Sequence, residues 1–163
     1  MKKLSILFGG TLFFAIILSI TSFRDVPPNG PSANGQGGLL LPYMNGQVQQ
    51  FSFHANTDKD GNVSGSWESN SPGQNCRTHG DITCLTILAD GKTALMSGVI
   101  TQVDGGCFGA VVGSTIWFKV KDNGEGSNAA NDRFTDYYFG ISGCVNHGGT
   151  LHQIVNGNIQ VKP

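Results

Sequence analysis

The chain has 163 residues, with 10 basic and 11 acidic side chains and a formal net charge of −1. No run of basic residues could follow a phosphate backbone, so the composition argues against a nucleic-acid partner. Charged residues make up only 13% of the chain and glycine occurs 24 times, which is typical of exported β-proteins with many turns.

The N-terminal residues have the pattern of a secretory signal peptide. Lys2 and Lys3 precede a stretch from Leu4 to Ile20 that is mostly apolar, as in the charged and hydrophobic regions of such signals. We therefore predict a signal peptide over residues 1–22. The alternative is an uncleaved anchor, since the run approaches the ~17 residues that span a bilayer. The expected protein is secreted or held in the cell envelope, with no membrane span after signal removal.

The next segment has the composition of a flexible linker. Residues 26–38, VPPNGPSANGQGG, are rich in Pro, Gly and Asn and have almost no large apolar side chain. Such a segment cannot bury enough surface to fold, so we predict a linker over residues 23–46. The remaining residues, 47–163, are long enough for a single domain with its own core.

Alternation with a period of two predicts strands through most of this domain. In QFSFHA the residues Phe51, Phe53 and Ala55 fall on one face, and in NVSGSWE the residues Val63 and Trp67 do so. The intervening TDKDG supplies a hairpin turn. ITCLTIL is apolar on both faces, as expected of a central strand, and an Ala-Asp-Gly turn leads into KTALMSGVITQV.

The C-terminal part continues the pattern. STIWFKVK and RFTDYYFGIS are each predicted to be a strand, and LHQIVNGNIQVK is predicted to be two strands joined by an Asn-Gly turn. About eight strands joined by turns predict an all-β fold, either an antiparallel β-sandwich or a barrel.

The four cysteines are expected to form disulfide bonds. An even number in an exported chain favours pairing, with three possible connectivities, and the spacing does not match a zinc site. Because Cys107 and Cys144 lie in Gly-rich turns that are easier to bridge, we predict the pair Cys107–Cys144, with Cys76–Cys84 as its complement. The alternative is that Cys84, inside an apolar strand, is reduced and buried.

Four segments, HGDITCL, DGKTALMSGVIT, WFKVKDNGEG…DRF and GNIQV, follow one another in this order. The order resembles a family of exported bacterial all-β modules, in which a D-x-G-E-G-type loop precedes a D-x-F strand and a G-N-I-Q strand closes the domain. The resemblance covers roughly Phe51 to Val161. It implies an export-associated β-module, often joined to other surface domains, with no established activity and no catalytic residue. The chain departs from the pattern in its extra cysteines and at SNAAN, between Gly126 and Asp132.

The loop in VKDNGEGSNAANDRF gathers many oxygen-bearing side chains. Asp122, Glu125 and Asp132, with Asn128 and Asn131, could supply the oxygen ligands of calcium, the one cofactor that the sequence suggests. The spacing differs from that of an EF-hand, and turns select Asp, Asn and Gly in any case. We expect a hairpin connection, with a calcium site as the alternative.

His79 and Asp81 are weak candidates for catalysis because they alternate onto one face of a strand. A His and a carboxylate on one face could activate a hydroxyl nucleophile, but the chain has no G-x-S-x-G or H-E-x-x-H motif. The alternative is a hydrogen-bonded pair that orders the start of the strand. Glu68 and Asp136 could in principle form a glycosidase pair.

Trp117 and Tyr138 are candidate ligand-binding residues. Trp117 alternates with Phe118 and shares a face with Lys119, so we expect its ring to be partly exposed. Of the consecutive Tyr137 and Tyr138, one must face away from a one-sided core. Exposed rings beside Asn and Asp would suit stacking on sugars. The alternative is that they cover a strand face next to a neighbouring element.

Together these patterns predict an exported, non-enzymatic β-domain that acts as a surface or extracellular binding module for a carbohydrate or a protein. The alternatives are a secreted hydrolase that uses His79 and Asp81 and a structural domain stabilised by calcium.

Overall fold

The computed structural model describes residues 30–126 and 129–163 of the chain. The predicted signal peptide, the first part of the predicted linker and Asn128 of the predicted calcium loop lie outside the described residues. Within the described ranges no helix is long and apolar enough to cross a bilayer.

The described residues form nine strands and two 3-10 turns, Pro42–Met44 and Pro72–Gln74. All strand pairings are antiparallel. In chain order the strands are β1 (Ser32–Leu40), β2 (Val48–Thr57), β3 (Val63–Ser71), β4 (Cys76–Ile87), β5 (Thr93–Gly105), β6 (Thr115–Lys121), β7 (Arg133–Phe134), β8 (Tyr138–Phe139) and β9 (His152–Lys162).

The strands close into a barrel. β1 to β6 each pair with the next strand, β6 continues to β7 and β7 to β9, and β9 returns to β1. Eight strands therefore form a closed ring, and β8 is an extra strand on β6. The predicted all-β antiparallel fold is confirmed, and the barrel is formed rather than the sandwich.

The first predicted hairpin is also confirmed. Phe51 and Phe53 point into the barrel and are buried. The turn after β2 is ordered by Asp58, whose carboxylate accepts the backbone N–H groups of Asp60 and Asn62 at 2.9 and 2.8 Å. Hydrophobic alternation and turn-forming residues were sufficient to predict this hairpin, because both depend on residues close together in the chain.

The predicted linker is wrong over Ser32–Leu40, because these residues form β1. This strand pairs along its length with β2 on one side and β9 on the other. Among its inward positions are Gly35 and Gly37, and a Cβ on Gly35 would lie 2.8 Å from the ring of Phe53. The rings of β2 occupy the room that the missing side chains leave, so a strand poor in apolar residues still belongs to the core.

The predicted Asn-Gly hairpin near the C-terminus is also wrong, because β9 runs without a turn through Asn156 and Gly157. Gly157 has a φ of +96°, and a Cβ there would collide with the carbonyl oxygen of Gln36 on β1. The register between β1 and β9 shifts beside Val155, which is a β-bulge. The Asn-Gly pair thus bends a strand and does not reverse it.

The segment RFTDYYF, predicted as part of one strand, is divided into β7 and β8. Both pieces pair with β6, and the N–H of Thr135 donates to the carbonyl of Lys119 between them. The ladder is interrupted at Asp136 and Tyr137. This interruption directs Asp136 toward one end of the barrel interior.

Aromatic rings fill the middle of the barrel. The ring of Phe134 lies 4.4 Å from that of Phe51 and 5.3 Å from that of Phe118. Tyr137 packs against Phe118 at 5.1 Å and against Trp67 at 4.9 Å. Such pairs add ~0.5–1.5 kcal/mol each to the burial of the rings. The middle of the barrel is therefore a packed core and not a channel.

The two disulfides differ from the predicted pairing. Cys76 is bonded to Cys107 and Cys84 to Cys144, so the predicted Cys107–Cys144 bond is wrong, and Cys84 is not a reduced side chain. Cys76 pairs with Gly105 across β4 and β5, which brings the following Cys107 beside it. Two disulfides indicate that the chain folds in an oxidising, extracellular type of environment.

A long loop, residues 140–151, covers the outside of β5 and β6. The Cys84–Cys144 bond fastens it to β4, and Nε1 of Trp117 donates to the carbonyl of Val145 at 3.1 Å. Leu95 and Trp117 lie beneath it and are each 1% exposed. The loop therefore encloses a second, smaller apolar cluster on the outer face of the barrel.

Candidate functional site

One end of the barrel, called the mouth from here on, holds a cavity of about 400 Å³. At this end β2 and β4 begin and β3 and β5 end. The described residues that line the cavity are Tyr43, Met44, Gln49, Ser69, Ser71, Gln74, Cys76, Thr78, Phe108, Asp136, Tyr137 and Phe139.

The mouth is polar because the inward positions of three strands change from apolar to polar toward this end of the barrel. On β2 the inward Gln49 lies two residues before Phe51, and on β3 the inward Ser69 lies two residues after Trp67. Thr78 opens the inward face of β4 in the same way. Neighbouring strands run in opposite directions, so these three buried polar positions meet at the same end.

Thr78 has a buried hydroxyl without a hydrogen-bond partner. Its Oγ1 is one of two such side-chain atoms among the described residues, the other being Nε1 of Trp67. Gln49, in contrast, donates from Nε2 to the hydroxyl of Ser69 at 2.8 Å. A buried polar atom left unpaired costs ~1–3 kcal/mol. A molecule in the cavity could give the Thr78 hydroxyl the partner that it lacks.

Asp136 is the acidic group of the mouth. One carboxylate oxygen accepts the N–H of Tyr137 at 2.7 Å, and the other accepts the hydroxyl of Tyr43. Burial raises the pKa of Asp136, while these hydrogen bonds, the amide of Gln49 and the nearby His152 act to lower it. The same burial, together with Asp136, raises the pKa of Tyr43. The carboxylate is thus poorly hydrated, which disfavours its charged form.

Aromatic side chains form the rim of the mouth. Phe108 is 99% exposed and Tyr43 is 59% exposed, although both line the cavity. The bond from Cys76 to Cys107 fixes the residue next to Phe108 against β4. Rings at the rim above convergent polar groups are the usual construction of a pocket for a small, partly apolar molecule.

The predicted calcium ligands Asp122, Glu125 and Asp132 lie at the opposite end of the barrel. Each aspartate accepts one N–H from the loop and one from β9, at 2.7 to 3.0 Å. Glu125 accepts the side-chain amide of Asn158 at 2.9 Å. Among the described residues no group of three or more His, Cys, Asp and Glu is placed to hold a metal. The carboxylates tie the loop to β9, and the calcium site stays a prediction.

The candidate catalytic residues lie on the outer face of β4. Nδ1 of His79 is 3.2 Å from Oγ1 of Thr101, and His79 shares a shallow depression of about 180 Å³ with Glu68 and three other residues. Asp81 does not line that depression. The described hydrogen bonds of His79 do not include Asp81, so a base oriented by this carboxylate is not assembled.

Glu68 and Asp136 face opposite sides of the sheet. Glu68 lies outside the barrel, where Arg77 donates to it at 3.0 Å. Asp136 lines the mouth beside Ser69, the inward neighbour of Glu68. The sheet separates the two carboxyl groups, which do not flank one substrate site as a glycosidase pair must.

Trp117 faces away from the barrel interior as predicted, but its expected partial exposure is wrong. The ring lies under loop 140–151, at 5.6 Å from the ring of Tyr138 and 5.4 Å from that of His147. Tyr138 is half-buried. Both rings cover a strand face beneath a neighbouring element, which is the alternative that the sequence left open, and neither lines the mouth.

The sequence patterns did not point to Gln49, Ser69 or Thr78, and they suggested Asp136 only as a possible glycosidase partner of Glu68. For Gln49, Ser69 and Thr78 a signal existed, because each is in phase with inward apolar residues on its strand. Polar residues that keep the inward phase at one end of adjacent strands indicate a polar cavity at that end. No such pattern marks Asp136 or Phe108, which reach the mouth through a broken strand and a loop.

Fold and cavity together define a class of protein: a closed, antiparallel, eight-stranded β-barrel with a packed middle and a cavity at the mouth. No protein-family model, curated protein or solved structure matches the chain.

Proposed function

We propose that the chain is a non-enzymatic binding protein that holds a small molecule in the mouth of its barrel. The interior of an eight-stranded barrel is wide enough to be filled by side chains or to take one small ligand. In this barrel the aromatic core fills the middle, and a cavity of about 400 Å³ remains at the mouth. That volume falls within the ~300–1,000 Å³ of typical small-ligand sites.

The proposal rests mainly on the hydroxyl of Thr78, which has no hydrogen-bond partner. The side chain is 1% exposed, its Oγ1 has no partner, and it lines the cavity. A valine of the same shape would avoid the cost of the unpaired group. The hydroxyl becomes favourable once a bound molecule accepts from it or donates to it.

Two depressions on the outer face are weaker candidates for a binding site than the mouth. They have volumes of about 340 and 410 Å³ and lie over β1, β2, β3 and β9. Amide and hydroxyl side chains with access to water line most of their surface. The predicted carbohydrate or protein partner would have to use such a polar face, whereas the mouth offers partly enclosed walls and an unpaired buried group.

We also propose that the protein acts outside the cytoplasm. The two disulfides fit an oxidising compartment, and a signal peptide over residues 1–22 would deliver the chain there as a secreted or envelope protein. The calcium and hydrolase alternatives receive less support, since Asp122 and Asp132 are occupied by backbone N–H groups and His79 contacts Thr101.

Thr78→Val tests the proposal, because it keeps the shape of the side chain and removes the unpaired hydroxyl. We expect the free energy of unfolding to rise by ~1 kcal/mol, while binding at the mouth becomes weaker. Urea denaturation measures the first quantity. Ligand-detected NMR with a library of small polar and aromatic fragments measures the second.

Thr135→Val is the matched control, because Thr135 is fully buried and its Oγ1 accepts the N–H of Lys119 at 2.9 Å. This control should lose ~1–3 kcal/mol of stability and keep the fragments that the wild-type chain binds. The proposal fails if Thr78→Val keeps all of them, or if the wild-type chain binds none.

A further inference from the structure

We propose that the mouth selects a small organic cation, an amine whose ammonium group meets Asp136 and whose apolar part lies against the rings of the rim. This inference rests on the proposed function, because it names the ligand class of the same cavity. Three features of the lining carry it: the charge, the positions still open on the carboxylate, and the rings.

The charge of the lining favours a cation over an anion. Asp136 is the only acidic residue among the described residues that line the cavity, and none of them is Lys, Arg or His. An anionic ligand would therefore meet a carboxylate in a partly enclosed space without a cation to offset it. The basic group that acts on Asp136 is His152 of β9, which does not line the cavity.

The carboxylate of Asp136 keeps room for further donors. Two carboxylate oxygens offer about four acceptor positions, and three donors act on them: the N–H of Tyr137, the hydroxyl of Tyr43 and the side-chain amide of Gln49. An ammonium group has several N–H donors, one of which would occupy a remaining acceptor position on the carboxylate. Burial raises the pKa of Asp136, although its hydrogen bonds and His152 act to lower it, and a bound cation would further favour the charged form.

The rim provides surfaces for the apolar part of the amine and for its charge. Phe108, Tyr43, Tyr137 and Phe139 line the cavity, and Phe108 is 99% exposed. Aromatic faces attract cations through their quadrupole and also cover apolar surface. A carboxylate surrounded by aromatic rings is therefore complementary to an alkyl or aryl ammonium ion. A neutral ligand of the same shape would use the rings but not the charge.

Three probes of similar shape and different charge test the inference: benzylamine, benzyl alcohol and benzoate. The purified chain is titrated with each at neutral pH, and affinity is read from shifts of backbone amide signals at the mouth. We expect benzylamine to bind at least tenfold more tightly than benzyl alcohol, and benzoate to bind more weakly than both. Asp136→Asn should reduce benzylamine affinity at least tenfold and leave benzyl alcohol unchanged.

Two controls and one further variant complete the design. Asp60→Asn removes an exposed carboxylate in the turn after β2, where Asp60 pairs with Lys59, and should leave all three affinities unchanged. Phe108→Ala should weaken benzylamine at least threefold without loss of folding, since this side chain is exposed. Val112→Ala is its control, because Val112 is exposed in the same loop and does not line the cavity.

The outcomes separate this inference from the proposed function. Equal affinities for benzylamine and benzyl alcohol at the mouth, or an unchanged preference in Asp136→Asn, would overturn the selection of a cation and leave the binding site intact. Binding of none of the three probes at the mouth would overturn both.

Discussion

Asp136 places a carboxyl group where the fold provides few groups to solvate its charged form. Its backbone interrupts the ladder between β7 and β8, and its carboxylate is held by the N–H of Tyr137 and the hydroxyl of Tyr43. Burial of a carboxylate with few partners lowers the stability of the folded chain, and carboxylates of this kind are frequent at functional sites. Its cost is a property of the unliganded protein and should be visible in the dependence of stability on pH.

We predict that the free energy of unfolding of the wild-type chain falls as the pH rises through the pKa of Asp136. The Asp136→Asn variant should not show this decrease. Burial raises the pKa of Asp136 in the folded chain above 3.8, so the folded state holds this proton more tightly than the unfolded state. The contribution of Asp136 is fully present below 3.8 and is lost as the pH rises through the raised pKa. The difference in unfolding free energy between Asp136→Asn and wild type should therefore grow with pH.

Urea denaturation at a series of pH values from about 3.5 upward measures this difference, which should increase by ~1.4 kcal/mol for each unit by which the pKa is raised. A difference that stays constant across the series, or that Asp60→Asn also shows, would mean that Asp136 is not the group responsible.

At the level of strands and loops, each disulfide fastens a different loop to β4. The Cys76–Cys107 bond holds the loop that carries Phe108 at the mouth, and the Cys84–Cys144 bond holds loop 140–151 over Trp117. The two bonds close chain separations of 31 and 60 residues, for which loop entropy gives a stabilisation of ~3–5 kcal/mol each. Removal of either bond should lower stability by a similar amount, but each removal should disturb a different loop.

We predict that Cys84→Ala with Cys144→Ala exposes Trp117 to water, while Cys76→Ala with Cys107→Ala does not. Tryptophan fluorescence should shift to longer wavelength in the first pair, because Trp117 loses its cover and Trp67 stays in the barrel core. The second pair should keep the wild-type spectrum and bind mouth ligands more weakly, since Phe108 is no longer fixed. A red shift in both pairs, or in neither, would contradict this division of roles.

The strands also show which local patterns predicted the fold. β2 was predicted because Phe51 and Phe53 alternate with polar residues, and its turn was predicted from TDKDG, in which the structure shows Asp58 ordering the backbone. β1 could not be predicted, because Gly35 and Gly37 contribute no side chain and the packing comes from rings on the next strand. Hydrophobic periodicity depends on apolar side chains, so it does not predict a strand that packs mainly through its backbone.

For the whole molecule, the all-β class followed from the sequence but the closure did not. Pairing of β9 with β1 joins residues at the two ends of the domain, and no local pattern encodes it. The covering of Trp117 has the same origin, since loop 140–151 reaches it through tertiary contacts. The mouth likewise depends on which strand ends meet, so its polar residues were visible one strand at a time but not as a cavity.

We propose that the mouth, and not the outer face of β1, β2 and β9, binds the ligand of this protein. The most direct test is to map a bound fragment by backbone amide shifts across the chain. We predict that the largest shifts fall on Gln49, Thr78, Phe108 and Asp136, and that they diminish in Thr78→Val. Largest shifts on the outer face of β1, β2 and β9, with the mouth unchanged, would contradict it.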